Sequence, residues 1–598
     1  MEEGKSFGVA DALGDLEPVL TRRSFVVSGA GLIAAGAFGS RLRSGRFKAR
    51  RVPRRLLAPT QPHASQLEAL RVLGRSTMRL PGSLPHPGLA AGTDTMPEIE
   101  HVIVLMLENH SYDNVLGMLG RGPGLTPRGD GLTLGRDGYP TASNPYANGS
   151  RQRAFRMPTT CQLHGKPSQE WKQSHVQYAN GTNQGFVISN SGPVAMGYWT
   201  EQDLPFTYAL AAQFPIGDRW FSSALAQTDP NRRFLIAATA LGMTDDIGKA
   251  DANETLLLLP PGGTIFTHLT GAGISWADYN AGGLTGTTMN LYPAADLILA
   301  ANAKPIAQFF SDAAAGTLPS FSLLDPDYGK QSQEDPQNVV VGESFLASVV
   351  HAIGSSPAWL KTILIVTYDE HGGYYDHVPP PVALAPDGVG PVVESGESTY
   401  DGYARYGFRV PSIVVSPYAK RDHVSHVVYD HTSILAFLER KWNLPAMTHR
   451  DANANDLTDF LDLNAMAAQQ PTFPQLPKLP ASGENPQTLA CSTTGPGKIP
   501  PPSPPPIPLR VEMRDLGVSR RRHGLELELW TTRSTLHNLV VELHRGARRV
   551  GQTRVSKLSQ PPLQVVLRSQ GRAPAAGHYT VVVRQGARVL LRHGIRVR

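Results

Sequence analysis

Three short runs of the chain are apolar without alternation: 101–107 (HVIVLML), 362–367 (TILIVT) and 410–415 (VPSIVV), each bounded by turn or polar residues. An unbroken apolar run rich in β-branched residues predicts a strand buried on both faces. Helix-like stretches lie between and after them, at 345–353 and 432–442, and Asp430 or Thr432 is placed to cap the first turn of the second. Buried strands alternating with helices predict an α/β fold with a mostly parallel sheet flanked by helices. The intervals 120–200 and 246–300, rich in Gly, Pro and Asn, predict loops that build a site rather than the sheet.

The pattern changes near the C-terminus. Residues 495–508 read GPGKIPPPSPPPIP, a composition that favours an extended linker over a packed core. Beyond it, short β-rich runs at 525–530, 539–544, 563–567 and 579–583 are separated by Gly-containing turns, which predicts a small β-sandwich. HRGARRVGQTRV at 544–555 and RQGARVLLRHG at 584–594 read as hairpins with Gly-Ala at the turn and arginines along the strands.

Composition adds a compartment and a partner. A chain of 598 residues, 41% hydrophobic and 18% charged, is ordinary for a globular protein of roughly two to four domains. Arg22 and Arg23, in TRRSFV, precede an apolar Gly/Ala-rich run at 25–38 and the small residues Ala35, Gly36 and Ala37. That is the pattern of a twin-arginine export signal, too short to span a bilayer, and no apolar stretch elsewhere is long enough for a membrane-spanning helix. Cys161 and Cys491 are the only cysteines, enough for one bridge or two free thiols and too few for a disulfide scaffold. The net charge of +6 is uneven: residues 509–598 hold 18 Lys+Arg against 5 Asp+Glu. Such a tail invites an anionic partner such as a cell surface, while its lack of interleaved aromatics argues against specific nucleic-acid binding. The expected layout is an export signal at 1–40, a loose basic segment at 41–97, a catalytic domain at 98–490, a Pro-rich linker at 491–508 and a basic β-sandwich at 509–598.

The chemistry sits where the apolar runs end. The first leads into Glu108-Asn109-His110 and the second into Asp369-Glu370-His371-Gly372-Gly373. Carboxylates and an amide oxygen converging past two strand ends form an oxygen-rich pocket for a divalent cation, and the acids would repel one another without one.

Those residues also carry a resemblance. IEHVIVLMLENHSYDNVLG, VTYDEHGGYYDHVPPP, the long segment 196–234 ending in QTDPNRRF, FRVPSIVVSPYAK and YDHTSILAFLERKW resemble, in order, motifs of the bacterial phospholipase C and acid phosphatase family, whose core is similar to that of alkaline phosphatases. The resemblance covers roughly residues 98–445. It implies one divalent metal ion, calcium, zinc or another, held by Glu108, Asn109, Asp369, Glu370 and Thr228. Thr228 is then the nucleophile, its hydroxyl activated by the metal. His164 and His371 become catalytic candidates and His426 and His431 substrate-binding ones, with His377 a further histidine of the motifs. Where the family carries Asp-His-Pro, this chain reads Glu334-Asp335-Pro336, so Asp335 replaces an expected substrate-binding imidazole with a carboxylate.

The function implied is hydrolysis of phospholipid phosphodiesters by an exported phosphoesterase. A broad-range acid phosphatase and an inactive surface-binding protein are the alternatives. Trp171, Phe186, Tyr198 and Trp199 are candidates either for an apolar rim that would admit lipid or for the core.

Overall fold

The computed structural model describes residues 50–598 apart from 59–60, 123, 162–166, 248, 282–287, 329, 335–336, 484–497, 504–509, 520–521 and 533–534. The segment 1–40 expected to be an export signal, His164, Asp335, Cys491 and part of the linker therefore lie outside the described residues. The chain divides into two compact units at Ser503–Pro504, with Asn148–Ser150 grouped with the second.

The first unit is built on an eight-stranded sheet. In chain order its strands are β1 (His101–Leu107), β2 (Ile216–Gly217), β3 (Trp276–Asn280), β4 (Ala303–Pro305), β5 (Phe321–Leu324), β6 (Thr362–Tyr368), β7 (Ser412–Val415) and β8 (Val424–Ser425). Across the sheet the order is β8-β2-β7-β6-β1-β5-β3-β4. Only β7 opposes its neighbours; the other ladders are parallel. The apolar runs at 101–107 and 362–367 are thus the adjacent central strands, buried along nearly their whole length. The run at 410–415 becomes a strand only from Ser412, because Pro411 has no N–H to give a ladder.

Four helices position the site: α1 (Trp171–Tyr178), α2 (Thr228–Ala237), α3 (Val339–Gly354) and α4 (Thr432–Trp442). The helix expected at 345–353 starts earlier, at Val339, because the Asn338 side chain caps it by accepting from the Val340 N–H. The capping expected of Asp430 or Thr432 at α4 is not what forms. His431 is the N-cap residue and makes no side-chain cap, while the Asp430 carboxylate accepts from Thr432 and faces buried Arg450 at 3.4 Å.

Interval 246–300 was expected to hold loops alone, yet it supplies β3. Its sequence, WADYN, hides a fully buried strand because Asp278 and Asn280 are polar and still inside. Asp278 is accommodated by accepting from the Met289 N–H at 3.2 Å. The proposed aromatic rim is also corrected: Trp171, Phe186, Tyr198 and Trp199 are all buried and pack as core, as large rings do when their N–H or O–H finds a partner. Cys161 is disulfide-bonded.

The second unit holds β9 (Val511–Ser519), β10 (Gly524–Thr531), β11 (Leu536–Arg545), β12 (Arg548–Leu558), β13 (Leu563–Leu567), β14 (Gly577–Gln585) and β15 (Arg588–Val597). They form two antiparallel sheets, β9-β10-β13 and β12-β11-β14-β15. Leu525, Leu527 and Leu529 of one sheet share a core with Leu539, Val541, Leu543, Val581 and Val583 of the other, which makes the unit a small β-sandwich. Both expected hairpins turn on Gly-Ala, with Gly546 and Gly586 at φ of 58° and 56°, a conformation a two-residue turn requires. Among the described residues no helix is long and apolar enough to cross a membrane.

Candidate active site

Strand register brings the two acidic segments together. Leu107 of β1 lies opposite Tyr368 of β6, and the Asp369 N–H donates to the Leu107 carbonyl at 3.1 Å. Glu108-Asn109 and Asp369-Glu370 therefore leave the sheet side by side at the C-terminal ends of parallel strands, where such sheets present their ligands. The chain then turns sharply through Gly372 and Gly373, at φ of 62° and 75°. A Cβ on Gly372 would lie 1.8 Å from the Asn109 carbonyl oxygen, and one on Gly373 would lie 2.5 Å from the Ser168 nitrogen. The close approach of the two motif segments thus depends on glycine at these positions.

Thr228 enters from α2, in the helix's first turn. The loop before it is tied down by Asn231, whose side chain accepts from the Ala224 N–H and donates to the carbonyls of Ala226 and Gln227, each at 2.9 Å. Pro230 fits because first-turn N–H groups have no helical partner to lose. The Thr228 hydroxyl lies 3.3 Å from Glu108 Oε2, at the helix end whose dipole favours negative charge.

One helical turn further, on the same face, Arg232 reaches beneath the pocket. Its guanidinium donates to Glu108 Oε1 at 2.7 Å, Asp325 Oδ1 at 2.7 Å and Thr288 Oγ1 at 2.8 Å. Asp325 directly follows β5, so three neighbouring strands, β5, β1 and β6, each end in a carboxylate of this group. Arg232, Asp325 and Asp246 are residues of this group that the sequence reading did not single out. The four-residue spacing from Thr228 to Arg232 was the available signal for the first; the other two had none.

A single guanidinium does not balance the acids. Glu108 is held well above the usual carboxylate range, first by burial and then by the charge of Asp369. Asp369 is pushed up to about 8 by burial and by Glu370, and Glu370 is raised well above its ordinary value mainly by burial. Asp246, whose Oδ1 accepts from the Asp229 N–H at 2.9 Å, adds to the repulsion. Among the described residues, both oxygens of Asp369 and Oε1 of Glu370 are buried without a hydrogen-bond partner. Orphaned carboxylate oxygens facing a hydroxyl and an amide are the donor set of a hard divalent cation, so Glu108, Asn109, Asp369, Glu370 and Thr228 could hold one.

The histidines are placed differently from one another. His371 is buried, its Nε2 2.6 Å from Gln177 Oε1 and its Nδ1 3.2 Å from Glu370 Oε2. His431 is also buried, with Nε2 2.6 Å from the Asp369 carbonyl oxygen and Nδ1 without a partner among the described residues. Burial lowers both imidazoles, to about 3 and about 4, so both are neutral. Each touches the acidic segment and steadies it. His426 does not join this group. It follows β8, four strands from β1, or roughly 19 Å away at the usual strand spacing, and its exposed ring lies 2.9 Å from the Asp218 carboxylate.

A second acidic cluster lies close by in sequence. Asp113, Asp376 and His377 have potential ligand atoms within 4.8 Å of one another. Arg409 already supplies the cation there, donating to Asp376 at 2.9 and 3.0 Å and to Asp113 at 3.2 Å. His377 faces Asp113 at 2.7 Å and Asp130 at 3.3 Å. Burial would lower its pKa, but these carboxylates outweigh burial and lift it to about 10, so its imidazolium and the Arg409 guanidinium both face the acids here.

A family model described as Phosphoesterase family matches residues 99–445, the stretch that supplies every residue of the pocket. The chain belongs to the phosphoesterase family, as the resemblance of its motifs implied. It is a phosphoric ester hydrolase. Among its relatives are phospholipase C A of Mycobacterium tuberculosis, 30% identical over 67% of this chain and 84% of the relative, and non-specific phospholipase C6 of Arabidopsis thaliana, 32% identical over 61% and 72%. The hemolytic phospholipase C of Pseudomonas aeruginosa is 29% identical over 65% of this chain and 59% of the relative.

Proposed function

We propose that this chain is an exported, metal-dependent phosphoesterase that cleaves phospholipid phosphodiesters in the manner of a phospholipase C, with Thr228 as nucleophile. The observation that carries the reading is the Thr228 hydroxyl, at a helix N-terminus and 3.3 Å from Glu108, beside the partnerless oxygens of Asp369 and Glu370. The phospholipase C names of the relatives support the substrate class.

A divalent cation held by Glu108, Asn109, Asp369, Glu370 and Thr228 would lower the pKa of the threonine hydroxyl and offset charge gathering on the phosphoryl oxygens. The Thr228 oxygen then bonds to phosphorus as the bond from phosphorus to the diacylglycerol oxygen breaks. Arg232 keeps Glu108 in place. The departing alkoxide takes a proton, the role the resemblance gives His164. Water then hydrolyses the phospho-threonine and regenerates the hydroxyl. Export by the twin-arginine route, which carries folded proteins, suits an enzyme that must close this pocket before leaving the cell.

The test is turnover of a chromogenic phosphodiester, a chromogenic monoester and phosphatidylcholine vesicles by the purified protein and its Thr228→Ala variant, with and without added divalent metal. Diester and vesicle cleavage that falls at least about 10³-fold in the variant is the expected result. Monoester turnover alone would make the protein a phosphatase, and metal-loaded protein inert on all three substrates would leave a binding protein.

A further inference from the structure

The two outer faces of the C-terminal sandwich carry opposite charge. Side chains alternate across a strand, and the core residues of each strand identify the outward set. On the sheet β9-β10-β13 the outward ionised residues are Glu512, Arg514, Glu526 and Glu528, with Arg514 facing Glu528 at 3.9 Å and Arg522, from the turn before β10, reaching Glu526 at 3.5 Å, a balance of three acids to two cations. On the sheet β12-β11-β14-β15 they are Arg549, Arg554, Lys557, Arg584, Arg592 and Arg596, with one carboxylate, Glu542.

Glu542 organises rather than neutralises this second face. It is only 7% exposed and accepts from Arg549 at 3.0 Å, Arg584 at 3.1 Å and His544 at 3.0 Å, so its charge is spent at the centre of the sheet. Arg554 and Lys557 on β12 and Arg592 and Arg596 on β15, the two edge strands, are exposed. None of the four makes an ion pair among the described residues. Four unpaired cations thus frame one broad sheet face whose opposite number is acidic.

We propose that this face is a docking surface for an anionic phospholipid bilayer. The choice of lipid over other polyanions rests on reading the chain as a phospholipase; the basic face itself does not. Flat, dispersed positive charge matches a surface of anionic head groups and is attracted within a Debye length. The outward positions of this sheet hold no Phe, Tyr or Trp, so the stacking platforms that bind single-stranded nucleic acid are absent from it.

The full chain is tested by co-sedimentation with phosphatidylcholine vesicles with and without phosphatidylglycerol. Binding should require the anionic lipid and weaken as salt rises from about 0.1 to about 1 M. Replacing Arg554, Lys557, Arg592 and Arg596 together by Gln should weaken it by more than about tenfold, whereas replacing Arg510, Arg514, Arg568 and Arg572, an equal charge change elsewhere in the unit, should not. The variant Arg554→Lys/Arg592→Lys/Arg596→Lys keeps the charge and should keep the binding. Undiminished binding by the quadruple Gln variant, an equal loss in the control set, or capture by duplex DNA without capture by anionic vesicles would overturn the proposal. Turnover of a soluble phosphodiester, measured alongside, should be unchanged in the quadruple Gln variant. Its absence in the unaltered protein would count against the phospholipase reading while leaving the vesicle result standing.

Discussion

Two carboxylate clusters lie a few residues apart in the same two motifs, and they are settled in opposite ways. In one, Asp113 and Asp376 are met by Arg409 and by His377, each cation within 3.3 Å of a carboxylate oxygen. Asp113 is held below its ordinary value because His377 and Arg409 outweigh burial; at Asp376 burial wins. In the other, the one guanidinium of Arg232 pairs with Glu108 and Asp325, while Asp369 and Glu370 keep buried oxygens that have no partner among the described residues. Buried charge persists only when paired or when it binds a cation. The neutralised cluster is therefore architecture, and the unneutralised one is where binding energy remains to be gained.

The same substitution in the two clusters should have opposite consequences. Asp369→Asn will cut phosphodiester turnover by at least about 10³-fold, since it removes several kcal/mol of transition-state stabilisation. It will also raise the thermal midpoint of the metal-free protein, because one repelling carboxylate is gone. Chelator titration against differential scanning fluorimetry separates the two effects; a lowered metal-free midpoint would break the comparison. Asp113→Asn, by contrast, will cost about 3–5 kcal/mol in urea denaturation whether or not metal is present. An effect that vanishes on metal removal would mean that the Asp113 cluster, too, serves a cation.

The smallest effect should sharpen the contrast through pH. His377 has a folded-state pKa of about 10, above the ordinary imidazole value, so its stabilisation is complete below pH about 6.5 and is lost as pH rises through the folded value. His377→Gln will therefore cost about 1.5–3 kcal/mol at pH 6 and progressively less toward pH 10. Denaturation midpoints across that range provide the measurement, and a pH-independent cost would show that His377 is not the cation of its cluster.

Much of this was legible in the residues because backbone chemistry dictated it. Apolar runs without alternation at 101–107 and 362–367 could only be strands covered on both faces, and the acids just beyond them marked the sheet's ligand end. The Gly-Ala turns of the tail were equally plain, since a two-residue hairpin requires a positive φ. The turn at Gly372-Gly373 was not read from the residues, because the need for glycine there comes from the Asn109 backbone lying against Gly372. What stayed hidden were strands that break the hydrophobic pattern, such as WADYN at β3, whose polar residues are inside only because Met289 and its neighbours satisfy them.

The sequence by itself determined the family, the acids and hydroxyl of the pocket, and the basic excess of the tail, because each is a matter of residue type and local order. Tertiary structure alone decided which acids are neutralised. Arg232 is brought under Glu108 from more than 100 residues along the chain, and Arg409 is brought to Asp113 across nearly 300. It also decided that the tail's charge divides between two faces, since strand pairing determines which side chains share a surface. Electrostatic energy depends on distance through space, and distances between residues remote in the chain are fixed only by the fold.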